Sequence, residues 1–285
     1  RVGGIKIWRH ILNGESTNPM DTEALHTNRI NQSFQKGKSG LLSVYYTAGY
    51  PALDDTMEIA KTLEEAGADL IEIGMPFSDP IADGPTIQES NNIALNNGMT
   101  IDTLFHQLSN LRDEVTLPVI LMGYINPVLQ YGVEKFCASC EQVGIDGLIL
   151  PDLPMKEYVE EYKELFERHG LKNIFLITPQ TSEGRIREID EATDGFIYMV
   201  SSASTTGAKE GFGDDQIDYF KRIQAMELKN PLLVGFGISN HTTYRIVSEY
   251  AQGAIIGSAF IRLLQGATDK TNAIKEFIND IKQPT

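Results

Sequence analysis

From residue 41 onward the chain alternates short apolar runs with longer stretches in which apolar residues recur at helical spacing. The short runs are LLSVYYT (41–47), LIEIGMP (70–76), PVILMGY (118–124), GLILPD (147–152), NIFLITP (173–179), FIYMVSS (196–202), PLLVGFG (231–237) and GAIIGSA (253–259), eight in all. Their length and β-branched content predict strands buried on both faces. Between them Met57, Ala60, Leu63 and Ala66 keep to one helical face, as do Tyr158, Tyr162, Leu165 and His169. The glycines of AGAD (66–69) and VGID (143–146) fall where a helix ends before the next strand. Eight strand–helix units over roughly 250 residues predict an α/β protein, a (β/α)8 TIM barrel closed by right-handed crossovers. A doubly wound open sheet is the competing architecture, but no GxGxxG follows the first strand and the polar residues sit at the ends of many strands. NRINQSFQKG (28–37) predicts a short N-terminal helix, so the barrel is expected as a single domain over 29–283. Residues 1–28 are expected to be a poorly ordered leader; RVGGIKIWRHILNGESTNP, which precedes Met20, also fits a cloning remnant or an upstream translated stretch.

One stretch breaks the pattern. In LIEIGMPFSDPIADGPTIQES (70–90) the second strand carries Glu72, on the same face as Leu70 and Gly74 and opposite Ile71, Ile73 and Met75. An acid in a strand is often an edge residue facing water. Here both faces of the run are apolar, which argues for a buried carboxyl. Pro76, Pro80 and Pro85 stiffen the following loop, which carries Ser78, Asp79 and Asp83 beyond the strand's carboxyl end. A semi-buried acid beside an acid in a fixed loop suggests acid–base chemistry, and barrel strand ends converge on a single face.

Composition changes the picture in two ways. A net charge of −15 argues against a nucleic-acid partner or an anionic membrane surface, because both need a basic face. Screening confines that field to about 8 Å, so an anionic substrate would be held by local donors. Cys137 and Cys140, in the helical KFCASCEQVG, fit reduced structural thiols of a cytosolic protein better than a redox pair or half a zinc site, because no second Cys or His pair accompanies them. No apolar run reaches the roughly 20 residues of a membrane span and no signal peptide is evident, so a cytoplasmic location is expected.

Glycines supply candidate local donors. TTGAKEGFG around Gly207, GFGIS around Gly235 and Gly237, and GSAF with Gly257 and Ser258 follow the last three strands. The last two match the barrel arrangement in which backbone amides and a helix N-terminus, worth about half a positive charge, cradle a phosphate. Tight strand-to-helix turns would also use these glycines. ASTTGAKEGFGDD (203–215) fits either a mobile lid or an ordinary surface loop. No HExxH, GxSxG, Cys–His pair or metal-spaced cluster is present, and GKS (37–39) lacks the first P-loop glycine because position 32 is Gln. The chemistry rests on carboxylates, tyrosines and backbone donors.

LIEIGMPFSDPIADGPTIQ, followed in order by MGYINPV, LILPDLP, VGFGIS and IIGSA, resembles the tryptophan synthase alpha subunit family over residues 29–283. The resemblance implies a retro-aldol lyase that cleaves indole-3-glycerol phosphate to indole and glyceraldehyde 3-phosphate. Matched position by position, it implies that Glu72 is the general acid/base at indole C3 and Asp83 the acid that meets the indole N–H. Burial should raise the Glu72 pKa above its ordinary value of about 4.3, while Asp83, in a more polar loop, should stay ionised. The resemblance further implies Tyr45, Met122, Ile149, Tyr198 and Phe236 around the indole, although core packing would account for each of them. It implies Gly207, Gly237, Gly257 and Ser258 at the phosphate, and Thr206 as a lid residue that meets Asp83. Asp79, Asn126 and Pro127 match positions at the contact with a beta subunit, in an α2β2 heterotetramer whose pyridoxal phosphate belongs to the partner; this chain is expected to need no cofactor or metal. The chain departs from the family in SSASTTG (201–207), where Ser202 replaces an Arg of some relatives and Ser204 a usual Gly, which touches the lid and its coupling. Three alternatives compete: a sugar-phosphate epimerase or isomerase, a non-catalytic barrel subunit that activates a beta partner, and a stand-alone indole-releasing lyase.

Overall fold

The computed structural model describes residues 28–35, 38–80, 83–201 and 211–283. Residues 1–27 of the expected leader, Ser202, Ser204, Thr206 and Gly207 therefore lie outside the described residues, while Asn28 is described and caps the first helix. All eight expected strands form: β1 Leu41–Thr47, β2 Leu70–Gly74, β3 Val119–Met122, β4 Gly147–Ile149, β5 Lys172–Ile177, β6 Ile197–Val200, β7 Leu232–Gly235 and β8 Gly253–Ile256. Each pairs in parallel with the next, and β8 with β1, so the sheet closes in chain order.

Alternation along each strand sorts the core into two parts. Leu41, Leu70, Ile120, Ile174, Leu233 and Ile255 fill the barrel interior, whereas Val44, Ile71, Leu121 and Val234 pack outward under the helices. Gly67 and Gly144 end their helices in the left-handed region, with φ of 95° and 83°, as the AGAD and VGID junctions predict. The stretch with Tyr158, Tyr162, Leu165 and His169 departs from one regular helix. It runs as Met155–Glu157, a π-helical turn Tyr158–Tyr162 and Lys163–Arg168. The wide turn accompanies the burial of Tyr158, whose ring lies 5.8 Å from Phe166 and 5.3 Å from Phe175. Cys137 and Cys140 are buried on the helix Val133–Val143, and burial pushes the Cys137 thiol up to about 12, so neither is a ready nucleophile.

The short helix Arg29–Ser33 closes the barrel floor by inserting Ile30, fully buried, into the interior cluster. Asp146, at the start of β4, ties it down. Its carboxylate accepts from Arg29 at 3.0 Å, Arg112 at 2.6 Å and the Val119 amide at 2.9 Å, and it is only 3% exposed. Asp146→Ala strands Arg112 without its partner and is expected to cost about 3–5 kcal/mol in denaturant unfolding, with the site at the opposite end unaltered. A loss below about 1 kcal/mol would show that this network contributes little.

Candidate active site

A cavity of about 480 Å³ opens at the carboxyl ends of the strands. Its floor is Glu72, fully buried because its strand face points into the barrel. Ser43 on β1 donates to Glu72 Oε1 at 2.6 Å, and Oε2 is buried without a protein partner. Burial pushes the Glu72 pKa up to about 7, and the Ser43 hydrogen bond only partly opposes it. A carboxyl in that range presents a proton from Oε2 near neutrality.

Asp83 lines the same cavity. Gln88 holds its loop by donating to the Asp83 carbonyl at 2.8 Å, and Tyr124 donates to Asp83 Oδ2 at 3.2 Å. Asp83 sits in a less polar setting than its loop suggests: it is half-buried, and this partial burial pushes its pKa up to about 6, with the Tyr124 hydrogen bond pulling the other way. The loop's composition suggests water, but the chain folds Asp83 inward against Tyr124, whose ring also packs 5.1 Å from Phe77. With a value below that of Glu72, Asp83 is still the more ionised of the two at neutral pH.

Two tyrosines wall the cavity, and each depends on a glycine of the adjacent strand. Tyr45 pairs with Glu72 in register and its ring crosses Gly74, where a Cβ would lie 2.2 Å from the Tyr45 hydroxyl. Tyr198 pairs with Leu233 and crosses Gly235, where a Cβ would again lie 2.2 Å from the hydroxyl. A ring thus leans two residues along the neighbouring strand in both cases. Gly74→Ala and Gly235→Ala are expected to push these rings into the cavity and lower kcat/KM about tenfold or more, while near-native unfolding transitions show that the barrel survives. Unchanged kinetics would mean that the rings have another place to go.

The opposite pole is built from β7 and β8. Phe236 and Gly237 both take left-handed backbone, with φ of 67° and 77°. For Phe236 this costs about 1 kcal/mol or more, the kind of strain found at functional sites. Ser201 fixes the turn by donating to the Phe236 carbonyl at 2.6 Å, and the Phe236 ring sits 6.2 Å from Tyr198. Two helices begin nearby. The helix His241–Ser248 is closed by Asn240, which accepts from the Thr243 amide, while Thr243 accepts from Ser239 and Asn240. The helix Ser258–Gly266 has no side-chain cap, and its first intrahelical bond runs from Ile261 to Gly257. Its leading amides, at Ser258, Ala259 and Phe260, are the ones left for an anion.

Met122, Tyr45, Tyr198, Phe236, Gly237, Gly257 and Ser258 all line the cavity with the two acids. Ile149 is fully buried in the barrel interior, in the cluster that also holds Tyr198, and is not among the described lining residues. Asp79 is exposed and accepts from Ser78 at 2.6 Å; Asn126 is exposed and Pro127 half-buried on the helix Ile125–Tyr131, at the same end of the barrel as the cavity. The sequence reasoning missed Ser43, Tyr124, Ser201 and Arg262. Only Ser43 left a signal, as a polar residue in an apolar strand two positions before Tyr45.

An acid that holds its proton near neutrality, a second carboxylate beside it, aromatic walls and an amide-lined pole suit proton transfer on an aromatic compound with an anionic tail. That places the chain among (β/α)8-barrel enzymes acting on phosphorylated substrates. Residues 31–283 match the family described as tryptophan synthase alpha chain. The tryptophan synthase alpha chain of Flavobacterium psychrophilum is 58% identical over 254 residues, covering 89% of this chain and 99% of that protein. That of Bacteroides thetaiotaomicron is 52% identical over 255 residues, covering 90% and 100%. The crystal structure of tryptophan synthase subunit alpha from Legionella pneumophila superposes with a TM-score of 0.80 at 33% identity, over 90% of this chain and 98% of that one. A chain in the crystal structure of the tryptophan synthase complex from Pyrococcus furiosus superposes with a TM-score of 0.77 at 34% identity, over 86% and 98%. The chain belongs to the tryptophan synthase alpha chain family. It is a carbon–carbon lyase that carries out the alpha reaction of tryptophan biosynthesis, the cleavage of indole-3-glycerol phosphate to indole and glyceraldehyde 3-phosphate.

Proposed function

We propose that Glu72 and Asp83 carry the cleavage. The observation behind this reading is the fully buried Glu72, whose Oε2 lacks a protein partner on the cavity floor and whose pKa lies at about 7. Glu72 delivers its proton to indole C3, and positive charge develops on the ring nitrogen against the Asp83 carboxylate. The ionised Glu72 then takes the proton of the adjacent side-chain hydroxyl. As that oxygen becomes the aldehyde carbonyl, the carbon–carbon bond breaks and its electron pair restores the aromatic ring. One proton enters at carbon and one leaves from oxygen, so Glu72 ends as it began. Ser43 orients Glu72 through Oε1 and leaves Oε2 for the substrate.

The indole lies between Tyr45, Met122, Tyr198 and Phe236, and Ile149 supports that wall from the interior layer. The phosphate meets the amides at Gly237, Gly257 and Ser258 together with Gly207, and Thr206 is the residue that meets the Asp83 carboxylate. Glu72 makes both proton transfers and Asp83 offsets the charge on the ring, so the chain needs no cofactor of its own. Asp79, Asn126 and Pro127 mark the face that meets a beta subunit, in an α2β2 assembly whose partner holds pyridoxal phosphate. The location is cytoplasmic; among the described residues no helix is long and apolar enough to cross a membrane.

The test is steady-state cleavage of indole-3-glycerol phosphate by the purified chain in the presence of a chelator, with and without a beta subunit. Slow turnover that rises on mixing supports the whole reading. Equal, fast turnover in both conditions would point to a free-standing lyase, and none in either would remove the mechanism.

A further inference from the structure

We infer that Arg262 is a specificity residue for the substrate's phosphate, supplying the one full positive charge among the described residues of the cavity wall. This rests on the proposed placement of the phosphate at Gly237, Gly257 and Ser258. Arg262 follows Ser258 by four residues on the helix Ser258–Gly266, so both side chains lie on one face of its first turns. Both line the cavity, together with Gly257, Ala259 and Ser239. Across the cavity mouth, Arg262 Nη1 reaches the Thr86 hydroxyl at 3.4 Å, and Thr86 belongs to the first turn of the helix Pro85–Asn96 that follows the Asp83 loop. That contact places the exposed guanidinium along the cavity rim.

Charge makes this placement informative. The chain has 39 acidic and 24 basic residues, so a surface arginine has many carboxylates to choose from. Most of the described cations on the outer helices do pair, as Lys61 does with Glu114 and Lys275 with Glu65. Arg262 has no carboxylate within ion-pair distance among the described residues. The rest of the cavity repels an anion, because the ionised Asp83 is its other charged group. A phosphate ester loses its second proton at about pH 6, so near neutrality it enters mainly as the dianion. Helix amides and their dipole meet it with partial charges; an arginine adds a whole charge and a planar pair of donors. Its exposure keeps the effect moderate and sensitive to salt.

The contribution is to binding, alike in ground and transition states, so it belongs in KM rather than kcat. Arg262→Gln is expected to raise KM for indole-3-glycerol phosphate about three- to tenfold with kcat unchanged. It should weaken binding of glycerol 3-phosphate, measured by calorimetry, by a similar factor. Added sodium chloride should weaken glycerol 3-phosphate binding more steeply in the unaltered chain than in Arg262→Gln. Arg262→Lys, which keeps the charge and loses the planar fork, should recover most of the affinity. Indoleglycerol without the phosphate should be cleaved equally by the unaltered chain and Arg262→Gln, which a merely structural role for Arg262 would not give. Unchanged glycerol 3-phosphate affinity and salt slope in Arg262→Gln would overturn the assignment, as would an equal loss with indoleglycerol. The calorimetric arm does not depend on turnover: if the chain bound glycerol 3-phosphate through Arg262 and yet failed to cleave indole-3-glycerol phosphate, the acid–base mechanism would fall and the phosphate role would stand.

Discussion

Glu72→Gln is expected to remove turnover and strengthen the fold at the same time. A positioned general acid typically contributes a factor of about 10² to 10⁴, and glutamine offers no proton to indole C3. The amide keeps the size of the carboxyl and can still accept from Ser43, so the barrel loses no contact. What it loses is the penalty for ionising a fully buried acid. The folded-state pKa of about 7 lies above the ordinary value of 4.5, so the native chain holds this proton more tightly than the unfolded one. Stability of the unaltered chain therefore falls as pH rises from about 4.5 to about 7 and stays low above it. The separation corresponds to roughly 3 kcal/mol, an order-of-magnitude figure from about 1.4 kcal/mol per pKa unit. Urea unfolding at pH 8 should find Glu72→Gln more stable by about that amount, with the advantage vanishing below pH 4.5. A variant that is both inactive and less stable at pH 8 would mean that the lost activity reflects damage to the fold.

The second large effect is expected from Asp83→Asn, with kcat down about a hundredfold, equivalent to roughly 2.7 kcal/mol of transition-state stabilisation. Asparagine can still accept from the indole N–H, so substrate binding changes little. It carries no charge to oppose the positive charge on the protonated ring. Tyr124→Phe removes one hydrogen bond of 3.2 Å to the same carboxylate and should cost only a few-fold. An Asp83→Asn enzyme with normal kcat would place the ring's stabilisation elsewhere.

What could be read from the chain alone follows from the range of the interactions involved. Strand positions and the inward direction of Glu72 depend on alternation within a few residues, and the left-handed caps at Gly67 and Gly144 on a single residue. The half-buried setting of Asp83 includes a contact with Tyr124, 41 positions away, which a loop rich in proline and acids does not reveal. Gly235 reads as part of the phosphate-cradling GFGIS stretch and Gly74 as a strand residue on the face of Glu72; neither reveals the tyrosine it accommodates, because those rings lie on neighbouring strands. Ile149 has the right residue type and the right strand, but it sits in the interior layer. Phe236 was legible as an aromatic residue between two glycines, whereas its left-handed backbone was not. Arg262 gives no sign in the sequence, because a lone arginine on an amphipathic helix reads as a solvated surface residue and its place at the cavity depends on the fold.

The central claim is that two carboxyl groups, one fully buried and one half-buried, divide the chemistry, Glu72 as the proton donor and Asp83 as the ionised partner. The measurement that tests it most directly is the pH dependence of kcat/KM for cleavage of indoleglycerol, which carries no phosphate to titrate, in the unaltered chain and in Asp83→Asn. Protonated Glu72 is required, so the rate should fall as pH rises through about 7; ionised Asp83 is required, so it should also fall as pH drops through about 6. The account predicts a narrow maximum between those values and loss of the acid limb in Asp83→Asn. A rate that stays level from pH 5 to pH 9, or an acid limb that persists in Asp83→Asn, would contradict it.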